Sequence, residues 1–126
     1  MKEVIWAEDH PMLRDVLCSK FKATCAQQGV EVSLDEVATG DELVERVRRN
    51  GYCLAFTDFS MPPGINGLEA IKQIRQQGGV IPIYLFTLHE GMEQKALDAG
   101  ANGYARKDDF NSVDRLIDQA IELYLK

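Results

Sequence analysis

Five short apolar runs alternate with five segments of helical period along the chain, and no other feature narrows the possible folds so far. Strict strand–helix alternation is the sequence form of βαβ units and a parallel sheet. Right-handed crossovers then place helices on both faces of a five-stranded, doubly wound sheet. In such sheets ligands sit outside the carboxyl ends of the strands, near a switch point in strand order.

The elements follow from local chemistry. A first strand is expected over Glu3 to Ala7. Pro11 suits the first turn of a helix because its missing N–H costs nothing there. Leu13, Val16, Leu17, Phe21 and Thr24 are expected to form that helix's apolar stripe, with Gly29 as its stop. A second strand lies within Val30 to Ala38; its polar residues Glu31, Ser33 and Asp35 alternate as on an edge strand. Thr39 to Glu42 has the capping-box pattern and opens a helix to about Arg49. Tyr52 to Thr57 is apolar enough for a strand buried on both faces. A helix over Leu68 to Gln77, a strand over Ile81 to Phe86 and a helix over Met92 to Ala99 come next. Pro82 is tolerable only at that strand's start. A short strand, Gly103 to Arg106, precedes a last helix from Ser112 to Leu125.

Composition narrows the function classes. The 126 residues suffice for one domain with a real core, expected over 1–126, and 45% hydrophobic with 27% charged residues is ordinary for a globular protein. A net charge of −6 disfavours direct nucleic-acid binding, which needs clustered Lys and Arg. No apolar run approaches the roughly 18 residues of a membrane span, and the N-terminus lacks the pattern of a signal peptide, so a cytoplasmic protein is expected. Cys18, Cys25 and Cys53 form no metal-ligand pattern. On one helix, Cys18 and Cys25 would lie about 10 Å apart, too far for a disulfide. They read as small buried residues, as Trp6 reads as core and His10 as a helix-entry residue beside Pro11.

The polar residues at the strand ends carry the chemistry. Glu8 and Asp9 follow the first strand, Asp58 the third, Thr87 the fourth and Lys107 the fifth. Three carboxylates, a hydroxyl and an ammonium therefore face one edge. Carboxylates so placed repel, and one protonates unless a cation is present. Mg²⁺ takes oxygen ligands and usually keeps waters beside one or two carboxylates. Asp9 and Asp58 suit that role directly, and Glu8 through a water. Asp58 suits nucleophilic attack on a phosphoryl group, with Lys107 and Thr87 neutralising charge on its oxygens. Neither a Walker A pattern nor GxGxxG occurs, which removes the usual support for nucleotide binding.

This constellation resembles the receiver domain of two-component response regulators. The resemblance rests on Glu8-Asp9-His10-Pro11, Phe56-Thr57-Asp58-Phe59-Ser60-Met61-Pro62, Asn66-Gly67-Leu68-Glu69, Thr87, and Gly100 through Asp108. It implies a flavodoxin-like sheet of order 2-1-3-4-5 and phosphorylation of Asp58 by a histidine kinase or phosphotransfer protein. It further implies Mg²⁺ held by Asp9, Asp58, the Ser60 backbone carbonyl and, through water, Glu8, with Thr87 and Lys107 on the phosphoryl oxygens. A downstream output protein or domain and a homodimer are the partners it implies. The run Asp9 to Arg14, and Asp108 after Lys107, look most like receivers of helix-turn-helix transcription factors.

Departures from the family pattern add expectations. The stretch Met61 to Gly67 looks one residue long and should bulge beside Asp58. Leu88 stands where the family usually has a small residue, and His89 follows within reach of the site. The interval from Thr87 to Lys107 looks two residues short. The rival readings are a phosphorylation-independent interaction module and a Mg²⁺-dependent phosphatase. The second usually needs a carboxylate two residues after the nucleophile, where this chain has Ser60.

Overall fold

The computed structural model describes residues 1–126. The strands are β1 (Lys2–Ala7), β2 (Val32–Val37), β3 (Leu54–Asp58), β4 (Ile83–Thr87) and β5 (Gly103–Arg106). The helices are α1 (Pro11–Gln27), α2 (Gly40–Arg49), α3 (Gly67–Gln76), α4 (Glu93–Ala99) and α5 (Phe110–Tyr124). All pairings are parallel and the order is β2-β1-β3-β4-β5. The edge position expected of β2 is observed, and most of its residues are half-buried.

Side chains alternate across the strands and so feed two cores. Val4, Trp6, Phe56, Tyr84 and Phe86 pack under α1 and α5. Ile5, Ala7, Ala55, Ile83 and Leu85 pack under α2, α3 and α4. Trp6 stacks on Phe56 at 4.3 Å and on Phe86 at 5.3 Å between ring centroids. Only the strand ends remain for polar groups, and there the buried polar residues collect: Glu8, Thr57, Asp58, Thr87 and Lys107.

Several boundaries and faces differ from expectation. Val16 is exposed, and the α1 stripe runs instead through Leu17, Cys18, Phe21 and Cys25. Cys18 and Cys25 are buried as the sequence suggested, whereas Cys53 is only half-buried. β3 begins at Leu54 rather than Tyr52, and β4 at Ile83 rather than Ile81, because pairing with the neighbouring strand starts only there. α5 begins two residues early: the Asp109 side chain accepts from the Ser112 N–H at 3.2 Å and caps it. At α2, the Thr39 hydroxyl accepts from the Glu42 N–H at 3.1 Å. A reciprocal capping box occurs at α3, between Asn66 and Glu69. The long stretch after Asp58 leans toward α2, where the Ile65 N–H donates to the Asp41 carboxylate at 3.4 Å. The shortened interval after Thr87 still forms α4, with seven residues and no side-chain cap.

Candidate functional site

The parallel register brings four strand ends to one edge. β1 runs out into Glu8 and Asp9, and the Glu8 N–H donates to the Val37 carbonyl at 3.0 Å, which keeps the chain in line with the sheet. Asp58 closes β3, and Thr87 closes β4 one residue beyond the Asp58–Phe86 pair. The Lys107 N–H donates to the Thr87 carbonyl at 2.9 Å, so the lysine leaves β5 beside that threonine.

The ion pairs are buried. Lys107 Nζ lies 2.8 Å from Asp58 Oδ1 and also bonds Glu8 Oε1. The lysine and glutamate side chains are 5% and 1% exposed, so neither charge is dispersed into bulk water. Asp58 Oδ1 accepts a second bond from the Phe59 N–H at 2.7 Å. Glu8 Oε2 accepts from the His10 N–H at 3.3 Å. Burial pushes the Glu8 carboxyl up to about 7; the charge of Asp58 adds to the rise, while the hydrogen bond and charge of Lys107 oppose it. That is the outcome expected of crowded carboxylates sharing one cation.

Ligand atoms of Glu8, Asp9 and Asp58 all lie within 4.8 Å of one another. The donors are hard oxygens, and the acid outnumbers the base three to one, so the set fits a hard divalent cation such as Mg²⁺. Asp58, Ser60, Thr87 and Lys107 line a shared cavity of about 90 Å³, together with Leu88 and His89. The sequence-based site residues are therefore all gathered at this edge. Concavities of about 360 Å³ lie along α5 and between α1 and α5, and neither includes Asp58.

The sequence reading placed Arg14, Phe59 and Gly67 in its motifs but gave none of them a role. Arg14 Nη1 donates to the Glu8 carbonyl at 2.8 Å and braces the acidic pair from the first turns of α1. Its one visible signal is a cation placed to reach back toward the helix N-terminus. The Phe59 N–H fixes Asp58, a backbone contact with no sequence signal. Gly67 packs so close that a Cβ there would lie 2.1 Å from the Asp58 carbonyl oxygen. His10, by contrast, acts as foreseen: its Nδ1 accepts from the Leu13 N–H at 3.2 Å and opens α1.

Comparisons with known proteins agree with this geometry. Residues 4–120 match the family model of the response regulator receiver domain. The chain is 32% identical over 107 residues to the transcriptional activator protein ExaE of Pseudomonas putida, covering 82% of this chain and 47% of that protein. It thus spans about half the length of the curated relatives it matches. The response regulator TrrA of Thermotoga maritima, solved in complex with Mg²⁺-BeF, superposes with a TM-score of 0.75 at 25% identity over 95% of this chain and 99% of that one. A Francisella response regulator 1452 receiver domain superposes with a TM-score of 0.83 at 21% identity, over 98% and 97%, a likeness of fold.

Proposed function

This chain belongs to the response regulator receiver domain family, and we propose that residues 1–126 form one receiver domain whose phosphoacceptor is Asp58. The observation that carries the residue assignment is the convergence of Lys107 on Asp58 and Glu8, with Thr87 beside them in a common cavity. A histidine kinase or a phosphotransfer protein is the donor. An Asp58 carboxylate oxygen bonds to phosphorus, the phosphorus–nitrogen bond of the donor phosphohistidine breaks, and the leaving imidazole keeps the electron pair.

The residues divide the work by charge. Lys107 turns from the carboxylates toward a phosphoryl oxygen, and the Thr87 hydroxyl donates to another. Asp9, Asp58 and the Ser60 carbonyl would hold Mg²⁺, with Glu8 reaching it through water. Bound there, the ion would offset charge on the phosphoryl oxygens. This is a signalling role rather than catalytic turnover of a diffusible substrate. The readout is a population shift toward a surface that an output protein, an output domain or a second copy prefers. No helix is long and apolar enough to cross a membrane.

BeF₃⁻ titration in the presence of Mg²⁺, followed by NMR, tests the assignment. Shifts should centre on Asp58, Thr87 and Lys107 and vanish in Asp58→Ala. Their absence, or their persistence in that variant, overturns it and favours an interaction module that signals without phosphate.

A further inference from the structure

Residues 60–65, between Asp58 and α3, carry part of the site on a weakly bonded backbone. None of them makes a backbone–backbone hydrogen bond. Pro62 and Pro63 have no N–H to donate, and both are exposed, as is Gly64. Ser60 nevertheless lines the cavity with Asp58, Thr87 and Lys107. Its carbonyl is the one backbone ligand in the metal set read for this site. A ligand carried on a loose segment has to be ordered when an ion binds, and that ordering subtracts from affinity.

The stretch is fastened near its two ends instead. Met61 is buried in the core under α2 and α3. At the other end three features join the chain to the first turn of α2. The Ile65 N–H donates to the Asp41 carboxylate at 3.4 Å. Gly40 is buried, and a Cβ there would lie 2.7 Å from the Ile65 carbonyl oxygen. Gly64 has a φ of 101°, in the left-handed region, and a Cβ there would strike Asp41 Oδ2. Two bare backbones and one carboxylate therefore fit against each other, although Asp41 is exposed and joins neither core. Between the two fastenings Pro62 and Pro63 each hold φ near about −65°. A displacement at Ile65 is therefore not absorbed by free rotation there and is passed toward Met61 and Ser60.

We propose that Asp41 is a positioning residue for the metal site: it ties the loop to α2 and so presets the Ser60 carbonyl that would hold Mg²⁺. The inference rests on the metal set read around Asp58 and adds to it a residue that touches neither the ion nor Asp58.

The test titrates the full chain with Mg²⁺ and follows the Phe59, Ser60 and Lys107 amides by NMR. Solvent exchange of the Ile65 amide is measured alongside, without metal. Asp41→Ala should weaken Mg²⁺ binding about three- to tenfold, the cost of one hydrogen bond to a charged group, and should speed Ile65 exchange. Asp41→Asn loses the charge but keeps an oxygen acceptor, and it should bind Mg²⁺ within about twofold of the unaltered chain. Glu42→Gln removes the same charge from the same turn, away from this joint, and should also leave binding unchanged. Unchanged Mg²⁺ affinity in Asp41→Ala overturns the proposal, even if Ile65 exchanges faster. Asp41→Asn binding as weakly as Asp41→Ala overturns it too, because the carboxylate would then act through its charge. No Mg²⁺ binding by the unaltered chain overturns the metal reading and the tether with it; binding indifferent to Asp41→Ala overturns the tether alone.

Discussion

Lys107 answers two buried carboxylates with one positive charge. Removing it leaves Glu8 and Asp58 facing each other, which costs more than the lost packing of a lysine stem. Lys107→Ala should lower the unfolding free energy by about 3 kcal/mol in Mg²⁺-free buffer, read from urea melts, and an unshifted midpoint would show that the pair is not a net contributor. The buried thiols make a second prediction. Burial, aided by Glu36, pushes Cys18 up to about 12, and burial pushes Cys25 up to about 11, from the usual 9.0. Their folded values exceed their unfolded ones, so this contribution is complete below pH 9.0 and fades as pH rises toward 11 and 12. Stability should therefore fall more steeply above pH 9.0 in the native sequence than in Cys18→Ala; equal slopes in denaturant melts would rule the thiol out. Glu8, Asp9, Asp58, Thr87 and Lys107 were legible in the sequence because each is the polar residue that ends an apolar run. The roles of Arg14, Phe59 and Gly67 were not, because they act through a backbone carbonyl, a backbone N–H and a close approach that no periodicity encodes.

At the scale of elements, the β3–α3 connection shows how the site is held. Asn66 caps α3 by accepting from the Glu69 N–H at 2.9 Å, while the Gly67 N–H donates to the Phe59 carbonyl at 2.7 Å. Asn66→Ala should cost about 1 kcal/mol of stability and leave BeF₃⁻ binding nearly intact, since it loosens a helix end and not Asp58. Gly67→Ala should behave differently. A Cβ there would meet the Asp58 carbonyl oxygen at 2.1 Å, so β3 or α3 has to shift and Asp58 moves with it. BeF₃⁻ affinity should drop along with stability; a Gly67→Ala variant that binds as tightly as the parent would show that the connection gives way without disturbing Asp58. The α1 stripe explains why some faces were harder to read. Hydropathy put Val16 in the stripe, but the helix turns it to solvent, while Leu17, Cys18, Phe21 and Cys25 pack in one core with Trp6 and Phe56. Strand starts were equally opaque, because Tyr52 and Ile81 are apolar for packing yet lie before the first paired residues.

The whole molecule is governed by strands that serve two cores at once. Val4 and Trp6 face α1 and α5, while Ile5 and Ala7, between and beside them, face α2 and α3. Neither layer can melt and leave the sheet intact, because losing one exposes alternate residues of the same strands. Trp6 reports only the α1–α5 side, where it stacks on Phe56 and Phe86. Its fluorescence should nevertheless lose native character at the same urea concentration as far-UV circular dichroism, which averages over all five helices. Two separated midpoints would mean that the layers unfold independently and that the shared-strand argument is wrong. Cooperativity need not extend to every residue. α4 is the shortest helix, lacks a side-chain cap and leaves Leu97 exposed. Its far side is tied down instead by Arg75, whose guanidinium donates to the Gly100 carbonyl at 3.0 Å and to Asn102 at 3.1 Å. Native-state hydrogen exchange should therefore find α4 opening well below the global free energy, with β1, β3 and β4 exchanging only by complete unfolding. Arg75→Met should widen that gap by lowering protection in α4 more than in the central strands. Equal losses everywhere would place Arg75 in the global core and deny the fourth helix a separate opening.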